Sequence, residues 1–207
     1  MKYQNKEELI KILTKDGMKL KEVEDDLRFD EDVVISALKG ALSSIQYVDA
    51  SFAQNVNFIL RAIKETPWAL FVYKFANENV RNLEKVVEEG IKKDGQIIAF
   101  ADKCYQNRID LAHLALCASR NPGLEYFGEE VRGNQQFMIE VLKLYPQEFR
   151  NLTADLKSDI SFLAKAVLAN RNIMKYLDKD IVNIVKDYVV ESYKNSENEN
   201  QGRENLG

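Results

Sequence analysis

A single histidine, His113, stands among 207 residues, and Cys104 and Cys117 are the only cysteines. The spacing of these three fits no structural zinc pattern, and a lone histidine leaves a catalytic triad without partners. Two thiols without a framework of others fit a reducing compartment, and both fall in helical patterns, where they are expected as small buried hydrophobes. No apolar run approaches the ~18 residues that a membrane span needs. The segment Met1 to Glu8 is polar and charged, unlike a signal peptide, so a cytoplasmic setting is expected. A basic excess is missing too. The net charge of −4 argues against a dedicated nucleic-acid binder and is too mild for an acidic nucleic-acid mimic. No catalytic, metal or nucleotide motif is present, so the expectation is a non-enzyme without cofactor or metal.

What the chain does have is a period. Leu13, Leu38, Ile63, Ile91, Leu116, Leu142 and Val167 follow one another at intervals of 25, 25, 28, 25, 26 and 25 residues. Four positions before each stands Leu9, Val34, Ile59, Val87, Ala112, Met138 or Leu163, the i, i+4 stripe of an amphipathic helix. Four positions after come Gly17, Leu42, Pro67, Gly95, Arg120, Pro146 and Arg171, four of which are helix breakers. A second apolar-x-x-apolar pair then follows, as in Ile45 and Val48. This predicts an all-α fold, an alpha-solenoid of about seven two-helix repeats with a closing C-terminal helix over Ile181 to Val190. One such unit buries about six apolar side chains at roughly 2 kcal/mol each. Ordering it costs on the order of 1.5 kcal/mol per residue, so a unit cannot stand without its neighbours. The array is expected over 1–191 and a disordered polar tail over 192–207.

Within this frame Asp30, Ser158-Asp159 and Asp178 are expected helix caps, and Asn121-Pro122-Gly123 a turn. Gly40 is read as the tight break after the second long helix. The three extra residues before Ile91 are read, with Gly90, as a longer or kinked first helix in that unit. The stretch Trp68 to Phe75, WALFVYKF, holds more rings than a thin helical layer needs. Tyr47, Trp68, Phe71, Tyr73, Arg150 and Tyr176 are therefore the candidate binding residues, rigid rings giving contact area and arginine selecting a partner. The outward positions of the second helices are expected at Glu22, Tyr47, Phe71, Phe100, Glu125, Arg150 and Tyr176.

The best copy of the repeat, Asp30 to Val48, carries Glu31, Val33, Val34, Ala37, Leu38 and Lys39, then Ile45 and Val48. In this it resembles the bacterial domain-of-unknown-function family numbered 4116. The resemblance implies a helical-repeat interaction scaffold found in bacteria and their mobile elements, with no activity attached. A protein partner is the first expectation. A narrower form is a small inhibitor or immunity protein that blocks a bacterial nuclease or defence effector, as anti-CRISPR proteins do. The other class is nucleic-acid binding through Lys74, Arg81, Lys85, Lys92, Lys93, Lys103 and Arg108, with Tyr105 stacking.

Overall fold

The computed structural model describes residues 5–118 and 123–204, with Asp25 and 193–204 as backbone only. It is all-helical, with no strand among the described residues. The contacts fall into two compact units, Met1–Phe127 and Gly128–Gly207, where periodicity alone suggests one array.

In the first unit the long helices are α1 (Lys6–Lys15), α2 (Glu31–Gly40), α3 (Val56–Glu65), α4 (Glu84–Ile91) and α5 (Ile109–Ala118). Each packs on the next. Every anchor of the 25-residue period in this unit is buried, from Leu13 to Leu116, as is its partner four positions before, from Leu9 to Ala112. In the second unit α6 (Gln135–Leu144) packs on α7 (Ile160–Ala169), and α7 on α8 (Lys179–Glu204). Met138, Leu142, Leu163 and Val167 are buried there in the same way.

The helix starts are chemically alike. Asn5, Asp30, Asn55, Asn134 and Asp159 each turn a side-chain oxygen onto a backbone N–H of the first turn, at 2.7–3.3 Å. Such caps satisfy donors that the helix itself cannot. Asp30 and Asp159 match expectation. The three asparagines lie at the same offset, eight residues before the anchor.

The second element of most repeats is not an ordinary α-helix. Gly17–Glu22, Leu42–Tyr47, Gly95–Phe100, Leu124–Tyr126, Pro146–Asn151 and Arg171–Tyr176 are 3-10 helices. A 3-10 helix repeats every three residues. That is why its apolar residues are three apart: Leu20 and Val23, Ile98 and Ala101, Leu124 and Phe127, and Phe149 and Leu152 are all buried. A further short helix follows in most cases, for example Asp25–Arg28, Lys103–Gln106 and Ala154–Ser158. The two-helix description is thus corrected to three elements.

The extra residues are also relocated. Residues 66–83 separate α3 from α4, eighteen against the fifteen of 16–30 and 41–55. They extend the second element into a true α-helix, Ala69–Phe75, while α4 stays short. Gly40 is the last residue of α2, not the break beyond it. The backbone over 192–204, expected as a disordered polar tail, instead continues α8; 205–207 and the expected turn residues Asn121 and Pro122 lie outside the described residues.

Candidate functional site

One edge of the long helices in the first unit is closed by charge. Lys6 reaches Asp30 and Asp32, both at 2.7 Å. Arg61 reaches Asp32 at 2.6 Å, and Lys39 reaches Glu65 at 2.7 Å. Lys64 pairs with Glu89 at 3.3 Å, and Arg108 with Glu84 and Asp110. Each step from α1 to α5 carries at least one such link. Hydrogen bonds from Lys6 and then Arg61 hold the Asp32 carboxyl below its ordinary range, and Lys39 and Arg61 do the same to Glu65. These charges serve one another.

The short helices form a second row, and it behaves differently. Leu42–Tyr47 packs on Ala69–Phe75, that helix on Gly95–Phe100, and the latter on Leu124–Tyr126. Along this row Phe71 is 45% exposed, Phe100 42% and Tyr126 40%, with Tyr47 half-buried. Lys74 lies over the Phe100 ring at 4.6 Å and has no carboxylate partner among the described residues. Four of these 3-10 helices end on an aromatic residue: Tyr47, Phe100, Tyr126 and Tyr176. An apolar residue follows each, buried in Val48, Ala101 and Phe127 and half-buried in Leu177. The buried residue anchors the end of the short helix, and its neighbour must then point out. This aromatic-apolar-cap pattern (YVD, FAD, YFG, YLD) is visible in the sequence and would have added Phe100 and Tyr126 to the candidates.

The sequence-derived candidates divide accordingly. Trp68 and Phe71 line one groove of the first unit, about 300 Å³, together with Pro67 and Lys93. Arg150 and Tyr176 line another in the second unit, about 380 Å³, with Phe149 and Lys157. Tyr47 lies in neither; its carbonyl accepts from Arg28 at 3.2 Å. Tyr73 is corrected. It is 0% exposed, because the stripe Ala69, Val72, Tyr73, Ala76 faces inward on an α-helical rather than a 3-10 period. Burial pushes its phenol upward, out of reach of ordinary titration. Of the seven expected outward positions six are exposed, and Tyr47 is half-buried.

Among the described residues four buried polar atoms have no protein hydrogen-bond partner: Trp68 Nε1, Tyr73 Oη, Asn77 Oδ1 and Arg81 Nε. All belong to the lengthened stretch between α3 and α4. Cys104 and Cys117, expected to be buried, are exposed. Cys104 sits on Lys103–Gln106, a helix with no buried residue, and Cys117 follows the inward pair Ala115 and Leu116.

Among the basic residues weighed for nucleic acid, Arg108 and Lys92 are paired with carboxylates, and Tyr105 donates to the Asn82 carbonyl at 2.8 Å. Among the described residues no three His, Cys, Asp or Glu side chains cluster as a metal site would require. No helix there is long and apolar enough to cross a membrane. No known family model, no curated protein and no solved structure matches the chain.

Proposed function

We propose that this chain is a non-catalytic protein-interaction module, an alpha-solenoid of about seven three-element repeats that binds a protein partner along its short-helix row. The observation that carries the reading is the run of exposed rings, Phe71, Phe100 and Tyr126, on short helices packed side by side. Aromatic rings are costly to leave in water and give contact area at low entropic loss, so they concentrate at protein interfaces. The opposite arrangement on the long helices, with charge neutralised in place, supports the same assignment of faces. The net charge of −4 and the carboxylate pairing of Lys92 and Arg108 weigh against a phosphate-binding stripe, which needs a run of free cations. The resemblance to the repeats of family 4116 points the same way.

The test is affinity capture with the full chain against the double variant Phe71→Ser, Phe100→Ser. The reading expects proteins retained by the wild type and lost by the variant, with unchanged melting. An identical retained set would overturn it. A variant that melts much earlier would show that the rings seal the fold instead.

A further inference from the structure

The groove of the second unit has a chemistry of its own. It lies beside Pro146–Asn151 and Arg171–Tyr176, which pack on each other, and the first turn of α8. Phe149 is buried, and Tyr176 stacks on it with ring centroids 6.1 Å apart and planes 19° from parallel. Tyr176 is 45% exposed, so the free side of its ring is a pinned, flat apolar surface. Beside it stands Arg150, exposed and without a carboxylate among the described residues. By contrast, Arg61 and Arg108 in the first unit each reach two carboxylates or more. A second cation is fixed at the same place, because the Lys157 ammonium donates to the Arg150 carbonyl at 2.8 Å. Among the described residues Asp178 is the one acid in the lining, so two cations face one carboxylate.

We infer that this groove takes an acidic segment of a protein partner, with a carboxylate on the Arg150 guanidinium and an adjacent apolar or aromatic side chain on the Tyr176 ring. The inference rests on the protein-binding reading above. A planar guanidinium with free N–H groups matches a carboxylate in a two-point, charge-assisted contact. A net surplus of one positive charge suits one such contact. It is far short of the run of cations that a nucleic-acid backbone requires, on a chain whose net charge is −4.

The test uses the full chain and fluorescence anisotropy of three labelled probes: a short peptide of alternating Glu and Tyr, its Lys and Tyr counterpart, and an oligothymidine of equal length. The Glu-Tyr peptide should bind and weaken with added salt. Arg150→Ala should reduce its affinity about tenfold, the worth of one charge-assisted contact. Arg150→Glu should turn the preference toward the Lys-Tyr peptide. Arg150 is exposed, so melting should not change in either variant. Unaltered peptide binding by Arg150→Ala, or oligothymidine bound more tightly than the Glu-Tyr peptide, would overturn the inference. A captured natural partner that survives Arg150→Ala but is lost by Phe71→Ser, Phe100→Ser would remove this groove and leave the interaction module standing.

Discussion

Gly17 and Gly40 meet backbone to backbone where α1 and α2 end. A Cβ built on Gly40 would lie 2.8 Å from the Gly17 nitrogen and 2.1 Å from the Leu13 carbonyl oxygen; one on Gly17 would lie 2.0 Å from the Ala37 carbonyl oxygen. Only the absence of side chains lets the two chain segments approach so closely. The obstacles are main-chain atoms, which cannot rotate aside.

Gly40→Ala therefore sets two effects against each other. Alanine gains roughly 0.5–1 kcal/mol in a helix. Forcing two packed backbones apart costs about 3 kcal/mol, the upper end of overpacking. The clash wins, and urea denaturation should show a net loss of about 2 kcal/mol. A stabilised Gly40→Ala variant would mean that α1 and α2 do not approach this closely.

Tyr73→Phe should do the reverse. The hydroxyl is buried without a protein partner, so its desolvation is uncompensated. Removing it should raise stability by about 1 kcal/mol, and the melting temperature by about 2–4 °C. A clear loss would show that the hydroxyl is bonded, most simply to a buried water.

Asn170 closes the same kind of junction in the second unit by hydrogen bonding. Its side-chain nitrogen donates to the Leu142 and Lys143 carbonyls, both at 3.2 Å, and its oxygen accepts from Asn172 N–H at 3.0 Å. Asn170→Ala should cost about 1–3 kcal/mol in chemical denaturation. Asn170→Asp keeps the acceptor but loses the donor, and should be as damaging. An unchanged midpoint for both would remove this role.

Acid should weaken the first unit in a definite window. The carboxyls of Asp32, Glu65, Glu89 and Asp110 are all held below their ordinary values, 3.8 for Asp and 4.5 for Glu, chiefly by Lys6, Lys39, Lys92 and Arg108. A lowered folded-state pKa contributes stability that is complete above the ordinary value and is lost as pH falls through the lowered one. The melting temperature should be flat from neutral to about pH 5 and fall below that. Because these pairs are partly exposed, salt should reduce the pH dependence. A melting temperature constant down to strongly acidic pH would show that the ladder contributes nothing.

Much of the fold was legible because burial follows one residue type at one period. Leu9 and Leu13 through Leu163 and Val167 read as an α-helical stripe, and the structure buries each of them. The 3-10 helices were misread as α because a short apolar-x-x-apolar pair fits both, and length alone did not decide. The inward turn of Tyr73 was hidden for a related reason: three added residues changed the helix type and rotated the ring. Gly40 looked like a break because its use depends on Leu13 and Gly17, a backbone approach that no local pattern records. At the site, Phe71, Arg150 and Tyr176 were legible as outward positions. The partnership of Tyr176 with Phe149 needed the packing of Pro146–Asn151 against Arg171–Tyr176.

The central claim is that a protein partner covers the short-helix row and leaves the long helices to the fold. Hydrogen exchange with mass spectrometry, run on the chain alone and with its captured partner, tests that most directly. The account predicts new protection in peptides covering 42–47, 69–75 and 95–100, with the exposed edge of α1 to α4 unchanged. Protection confined to the long helices, or none on the short row when the partner is bound, would contradict it.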